Sequence, residues 1–133
     1  VVALVFASLL PQKSEPNIHI VGEKNIYQPD DTAHLTIENT LDSTVYYYLG
    51  VQKYLHNEWR EGIIDITNPT SKKAKIVHID RTNKRVFTFQ IRTIGEAFSI
   101  DSSEYRIILN YGFSTNNINK RTYSEPFRIS SQK

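Results

Sequence analysis

Short runs of alternating polar and apolar residues, each bounded by turn-forming residues, recur along most of this chain. The clearest run covers residues 32–38, where Ala33, Leu35 and Ile37 alternate with polar side chains and are predicted to point inward. From residue 18 onward such runs follow one another at intervals of about 8–12 residues, and no long helical period interrupts them. This pattern predicts an all-β antiparallel sandwich of about seven to eight strands.

One predicted strand is long and aromatic, and it carries three tyrosines in a row. Because side chains alternate along a strand, at least one of Tyr46, Tyr47 and Tyr48 must face away from its neighbours. His56-Asn57 is a two-residue connection that predicts a hairpin with the following strand. The predicted strands are residues 18–22 continued by 26–27, 32–38, 44–55, 58–60, 75–80, 85–92, 105–111 and 127–129, with a connection at 94–100 and a polar loop at 112–122.

Residues 101–107 have the spacing of a tyrosine corner. In such a corner a Tyr at the start of a strand turns its hydroxyl group back onto the backbone a few residues upstream. Tyr105 and Asp101 are predicted to fill these two places, so both receive a structural role.

The turns and core positions together resemble the bacterial immunoglobulin-like domains of exported and surface proteins. The resemblance covers roughly residues 18–130, and it implies an immunoglobulin-like antiparallel β-sandwich over residues 18–133. It also implies that Ile107 stands where such domains have their second bridging Cys, with Leu35 or Ile37 opposite. It brings no catalytic motif. The segments that carry it are residues 27–31, 38–39, 57–59, 104–107 and 123–129.

The first ten residues, VVALVFASLL, carry no charge and are too few to span a bilayer. They match the apolar part of a secretory signal, and the alternative is a first strand of the sandwich. Residues 11–17 are then predicted to form an exposed leader. The signal interpretation predicts a secreted, periplasmic or cell-surface protein that meets a membrane only through export.

The residue inventory argues against catalysis and cofactor binding. The chain has no Cys and only five Gly, and it lacks G-x-S-x-G, H-E-x-x-H and glycine-rich phosphate motifs. Its four His residues form no local metal-binding pair. A net charge of +2 is too small to indicate nucleic-acid binding. We therefore predict no enzymatic activity, no metal, no cofactor and no nucleic-acid partner.

Two groups of residues are candidate partner-binding sites. The aromatic set on the long hairpin could stack on sugar rings or anchor a protein, and the alternative for Trp59 is a place in the core. The basic set could recognise acidic glycans, lipid headgroups or a protein, and the alternative is charge that protects an edge strand from pairing. The aromatic set is Tyr46, Tyr48, Tyr54 and Trp59; the basic set is Lys72, Lys73, Lys75, Lys84 and Arg85.

These observations predict a non-catalytic binding or structural module of an exported bacterial envelope protein, whose partner is another protein or an envelope glycan. Two alternatives stay open. One is an inhibitor that presents residues 112–122 to a protease or another enzyme. The other is a carbohydrate-binding module that uses the aromatic hairpin.

Overall fold

The computed structural model describes residues 17–62 and 76–130, which form an all-β sandwich. The predicted signal segment 1–10, most of the predicted leader and the basic residues Lys72, Lys73 and Lys75 lie outside the described residues. The described part contains ten strands and one 3₁₀ helix: β1 (Ile18–Gly22), β2 (Ile26–Tyr27), β3 (Thr32–Asn39), β4 (Val45–Leu55), β5 (Glu58–Glu61), β6 (Val77–Ile79), β7 (Lys84–Gln90), the helix (Ile91–Glu96), β8 (Glu104–Ser114), β9 (Asn117–Tyr123) and β10 (Phe127–Ile129).

The strands form two sheets that pack face to face. A three-stranded sheet has the order β1-β3-β7, and both of its pairs are antiparallel. A seven-stranded sheet has the order β2-β10-β8-β4-β5, with β6 paired to β4 and β9 paired to β8. Its pairs are antiparallel except for β2 and β10, which run parallel.

The core lies between the sheets and is filled by the inward-facing row of each strand. Ala33, Leu35 and Ile37 are buried on β3, as their alternation predicts. Tyr47 is the inward member of the tyrosine triplet, and Tyr46 and Tyr48 face the other way. Ile107 is buried in the same apolar cluster as Leu35 and Ile37, so apolar packing occupies this part of the core. The predicted inward row of the last strands is also buried: Tyr105, Ile107, Leu109, Tyr111, Phe127 and Ile129.

Two local predictions agree with the backbone. His56 and Asn57 have φ angles of 52° and 66°, which suit the tight two-residue turn between β4 and β5. The turn before β3 is closed by a hydrogen bond from the Asp31 amide to the Gln28 carbonyl at 3.0 Å, and the Gln28 amide donates to the Asp31 carboxylate at 2.8 Å.

The polar loop predicted at 112–122 contains regular structure, and that prediction was wrong. Residues 112–122 are a hairpin in which β8 extends to Ser114 and β9 begins at Asn117. Gly112 is required there, because a Cβ atom at this position would lie 1.9 Å from the Asn117 carbonyl oxygen. Strand β9 is largely exposed, so its sequence has no apolar alternation from which a strand could be predicted. The described residues therefore contain two strands more than the eight predicted ranges: β9, and β2, which was predicted as a continuation of β1. The predicted strand 85–92 ends earlier, at Gln90, and the 3₁₀ helix of residues 91–96 leads into the predicted connection 94–100.

A tyrosine corner joins the segment after the 3₁₀ helix to β8. The Tyr105 hydroxyl accepts a hydrogen bond from the Asp101 amide at 3.1 Å and donates to the Ser99 carbonyl at 3.2 Å. Lys53 extends this corner, because its ammonium group donates to the Ser99 carbonyl at 2.6 Å and to the Asp101 carboxylate at 2.9 Å. The corner is thus fastened to β4 by a buried cation.

Candidate binding surface

Aromatic and charged side chains lie on the side of the seven-stranded sheet that faces away from the three-stranded sheet. We call it the outer face. Strand alternation and pairing register decide its members, since residues directly opposite each other on neighbouring strands share a face. Tyr54 lies opposite Trp59, and Gln52 lies opposite both Glu61 and Arg106. The outer face includes Tyr46, Tyr48, Gln52 and Tyr54 on β4, Trp59 and Glu61 on β5, Arg106, Ile108 and Asn110 on β8, and Arg121 and Tyr123 on β9.

Arg106 lies between two aromatic rings at the centre of this face. Its guanidinium carbon is 4.3 Å from the Trp59 ring centroid and 3.9 Å from the Tyr123 ring centroid. Trp59 and Tyr123 belong to β5 and β9, which lie on opposite sides of the β4–β8 pair, so the two rings approach the guanidinium group from opposite sides. The Arg106 Nε group donates to the Gln52 side-chain oxygen at 2.7 Å. We call Gln52, Trp59, Arg106 and Tyr123 the arginine clamp.

The two terminal nitrogens of Arg106 make no hydrogen bond or ion pair with any residue of ranges 17–62 and 76–130. Burial lowers the pKa of Arg106 from its usual value, and the neighbouring Tyr123 phenol opposes that shift. The clamp therefore holds a cation that is partly desolvated, fixed in orientation and still able to donate hydrogen bonds.

Arg121 is bound in a different way on the same face. Its terminal nitrogens lie 2.9 and 3.1 Å from the two Glu61 carboxylate oxygens, and its Nε group donates to Asn110 at 2.8 Å. These hydrogen bonds with Glu61 raise the pKa of Arg121. Arg121 thus links β9 to β5 across two intervening strands, and Ile108 is fully buried although it points to the outer face. The Arg121–Glu61 pair thus covers the part of the outer face that lies next to the arginine clamp.

The predicted aromatic set lies on this face, and Trp59 is not in the core. Trp59 is half-buried, and its ring packs edge-on against Tyr54 at a centroid distance of 5.2 Å. The core interpretation of Trp59 was therefore wrong, because the β4–β5 register turns it outward with Tyr54. Tyr54 and Tyr123 are 39% and 41% exposed, whereas Tyr46 and Tyr48 are half-buried.

The described members of the basic set belong to the other sheet. Lys84 and Arg85 lie on β7, at an edge of the three-stranded sheet, so they do not join the aromatic set. The Lys84 ammonium is 3.8 Å from the Glu38 carboxylate, and the Arg85 guanidinium donates to the His78 carbonyl at 3.1 Å. Both cations have partners, and the edge-protection interpretation suits their position.

Gln52, Glu61, Arg106, Arg121 and Tyr123 were not among the binding residues predicted from the sequence. The alternation of β8 was visible, and it places Arg106 on the opposite side from the buried Tyr105 and Ile107. What the pattern could not show is that β5 and β9 bring Trp59 and Tyr123 to either side of this arginine.

A groove of about 440 Å³ opens elsewhere, between β1 and residues 122–127. Across ranges 17–62 and 76–130, no group of three or more His, Asp or Glu side chains is arranged to hold a metal ion. Within the same ranges there is also no helix of the length and apolar character needed to cross a membrane.

No protein-family model matches this chain, and the comparison with curated proteins found no match. Among solved structures, it is similar to the sporulation control protein Spo0M from Bacillus subtilis, with a TM-score of 0.44, 11% identity, and coverage of 86% of this chain and 49% of that one. A Paenibacillus cycloisomaltooligosaccharide glucanotransferase complexed with cycloisomaltoheptaose gives a TM-score of 0.42 and 16% identity over 86% of this chain and 14% of that one. A Listeria innocua beta-glucosidase in complex with gluconolactone gives a TM-score of 0.39 and 15% identity, over 90% of this chain and 17% of that one. The chain thus spans half or less of these proteins, and similarities this weak say nothing about its ligand.

Proposed function

We propose that this chain is a non-catalytic, immunoglobulin-like binding module of an exported bacterial envelope protein, and that the outer face is its binding surface. The partner is an envelope glycan or another protein. The arginine clamp carries this proposal: Arg106 sits between Trp59 and Tyr123 with two donor nitrogens unused among the described residues. A buried structural cation normally uses its donors inside the fold, so donors left open at a surface suit a ligand.

The composition of the face supports the same conclusion. Trp, Tyr and Arg are the residues that most often dominate the energetics of protein interfaces, and exposed aromatic rings also stack on sugars. Tyr54 and Tyr123 keep about two-fifths of their surface exposed beside the clamp. The immunoglobulin-like assignment is supported by the Tyr105 corner and by the two-sheet architecture.

The inhibitor alternative receives no support from residues 112–122, because only Thr115 and Asn116 lie between the two strands of that hairpin. A tip this short differs from the long presented loop that the alternative requires.

A binding assay with isolated bacterial cell envelopes tests the proposal. We expect the full chain to sediment with envelopes and the Tyr54→Ala and Trp59→Ala variants to lose most of that binding. Val86→Ala is the matched control, since Val86 is 64% exposed on the three-stranded sheet. Protease-treated envelopes distinguish the two partner classes, because a glycan partner survives the treatment. Equal binding by all four proteins would contradict a role for the outer face.

A further inference from the structure

We propose that the arginine clamp is a carboxylate-binding subsite, and that its ligand is a glycan containing uronic acid residues. This inference rests on the proposed function of the outer face and names the chemistry that the face recognises.

The geometry leaves one direction of approach to Arg106. A guanidinium group is planar and carries five N–H donors around its edge. Trp59 and Tyr123 cover its two sides, and Gln52 takes the Nε donor. The four N–H groups of the terminal nitrogens stay at the remaining edge, and a pair of them matches the two oxygens of a carboxylate.

The acidic side chains of the same sheet already have cationic partners. Glu61 is held by Arg121, Glu104 lies 3.7 Å from Arg128, and Glu58 lies 2.8 Å from Arg60. Asp101 is held by Lys53 at the corner. Among the described residues, Arg106 therefore has no anionic partner, and its partial burial increases the gain from meeting an anion.

The surroundings of the clamp favour a sugar over a protein surface. A stable protein interface buries roughly 800 Å² per partner around an apolar centre. The exposed rings beside the clamp, Tyr54 and Tyr123, carry hydroxyl groups. The exposed aliphatic side chains of this sheet, Ile26 on β2 and Ile76 just before β6, do not belong to the strands of the clamp. A uronic acid offers a carboxylate for the Arg106 edge together with a C–H face for one ring and hydroxyl groups for polar neighbours.

Trp59 supplies the readout, because it is the only Trp in the chain and contacts Arg106. The full chain is titrated with oligogalacturonate and, separately, with the methyl ester of the same oligosaccharide, while Trp fluorescence is followed. The two probes share their sugar rings, and only the first has free carboxylates. We expect the acid form to change the emission and to bind at least about tenfold more tightly than the ester, with an affinity that falls as salt increases.

Arg106→Lys keeps the charge but lacks the two-nitrogen edge, so we expect about tenfold weaker binding of oligogalacturonate. Arg106→Gln is a second, uncharged variant in case the first is poorly folded. It should bind oligogalacturonate still more weakly than Arg106→Lys. Arg128→Lys is the matched control, since Arg128 lies on the same sheet and is paired with Glu104. Circular dichroism checks that each variant is folded.

Equal affinity for the acid and the ester would overturn the carboxylate subsite, as would unchanged binding by folded Arg106→Lys and Arg106→Gln. Equal binding of a sulfated oligosaccharide would show that charge alone is recognised. Binding of acidic peptides without binding of oligogalacturonate would replace the glycan with a protein. If Tyr54→Ala loses envelope binding while Arg106→Lys retains it, the proposed role of the outer face is supported and the carboxylate subsite is contradicted. If neither variant loses envelope binding, both the proposed function and the subsite are contradicted.

Discussion

Lys53 and Arg106 are two cations on neighbouring strands that point to opposite faces of the same sheet. The Lys53 side chain is 3% exposed, and its ammonium contacts the Ser99 carbonyl, the Asp101 carboxylate and, at 5.5 Å, the Tyr105 ring. Arg106 is held instead by the faces of two aromatic rings and by the Gln52 side-chain oxygen. Its two terminal nitrogens keep N–H donors that no residue of ranges 17–62 and 76–130 accepts. A cation that uses its donors inside the fold stabilises the fold, whereas Arg106, held through its faces, keeps the donors that the proposed ligand would use.

The largest effect on stability should come from Lys53. Lys53→Met removes the charge that compensates Asp101 and leaves the Ser99 carbonyl with one donor fewer, so we expect a loss of about 2–3 kcal/mol in the free energy of unfolding. Urea denaturation measures it. Oligogalacturonate affinity should be unchanged, because Lys53 points into the sandwich. A stable Lys53→Met protein that has lost its affinity would reverse the roles assigned to the two cations.

Tyr105→Phe tests the corner without changing charge or packing volume. The hydroxyl makes hydrogen bonds to the Asp101 amide and the Ser99 carbonyl, so its removal should cost about 1–2 kcal/mol. The matched control is Tyr54→Phe on the outer face, where we expect a change within about 0.5 kcal/mol. Similar losses in the two variants would show that the corner contributes no special stability.

The pH dependence of stability should reflect the Lys53 corner. Burial alone would raise the pKa of Asp101, but hydrogen bonds from Lys53 and Ser103 lower it from 3.8 to about 2. A lowered folded-state pKa means that this contribution is present above pH 4 and is lost as the pH falls towards 2. Since the carboxylate is half exposed, solvent screening reduces the contribution to about 1 kcal/mol.

Denaturation at a series of pH values measures this effect, and Asp101→Asn should show a smaller loss in the same range. Oligogalacturonate affinity should instead be flat between about pH 5 and 9, because neither an arginine nor a uronic acid titrates there. An affinity that changes in step with stability would remove the distinction between the two regions.

Apart from the control variants, the smallest expected effect is that of Arg106 on stability. Arg106→Lys keeps a cation between the two rings and loses the hydrogen bond to Gln52, so the free energy of unfolding should fall by about 1 kcal/mol or less. Thermal or urea denaturation of the two proteins measures it. A loss as large as that of Lys53→Met would show that the clamp is primarily a structural device.

The sequence predicted the all-β sandwich and much of the core, because alternation along single strands is a local property. Ala33, Leu35 and Ile37 follow from it directly, and the Tyr105 corner follows from the spacing of five adjacent residues. The arginine clamp does not, since Trp59, Arg106 and Tyr123 come from three strands, and β5 is separated from the β8–β9 hairpin by β6, β7 and the 3₁₀ helix. An isolated Arg at an outward strand position resembles any solvated side chain, and exposed β9 has no apolar pattern to reveal where Tyr123 lies.

The most direct test of this account is the ratio of oligogalacturonate dissociation constants for Arg106→Lys and the unchanged protein, measured by Trp59 fluorescence. We expect a ratio of about ten, with no comparable change for the methyl ester or for Arg128→Lys. A ratio near one in a folded Arg106→Lys protein would contradict it, and Arg106 would then have no role in recognising a carboxylate.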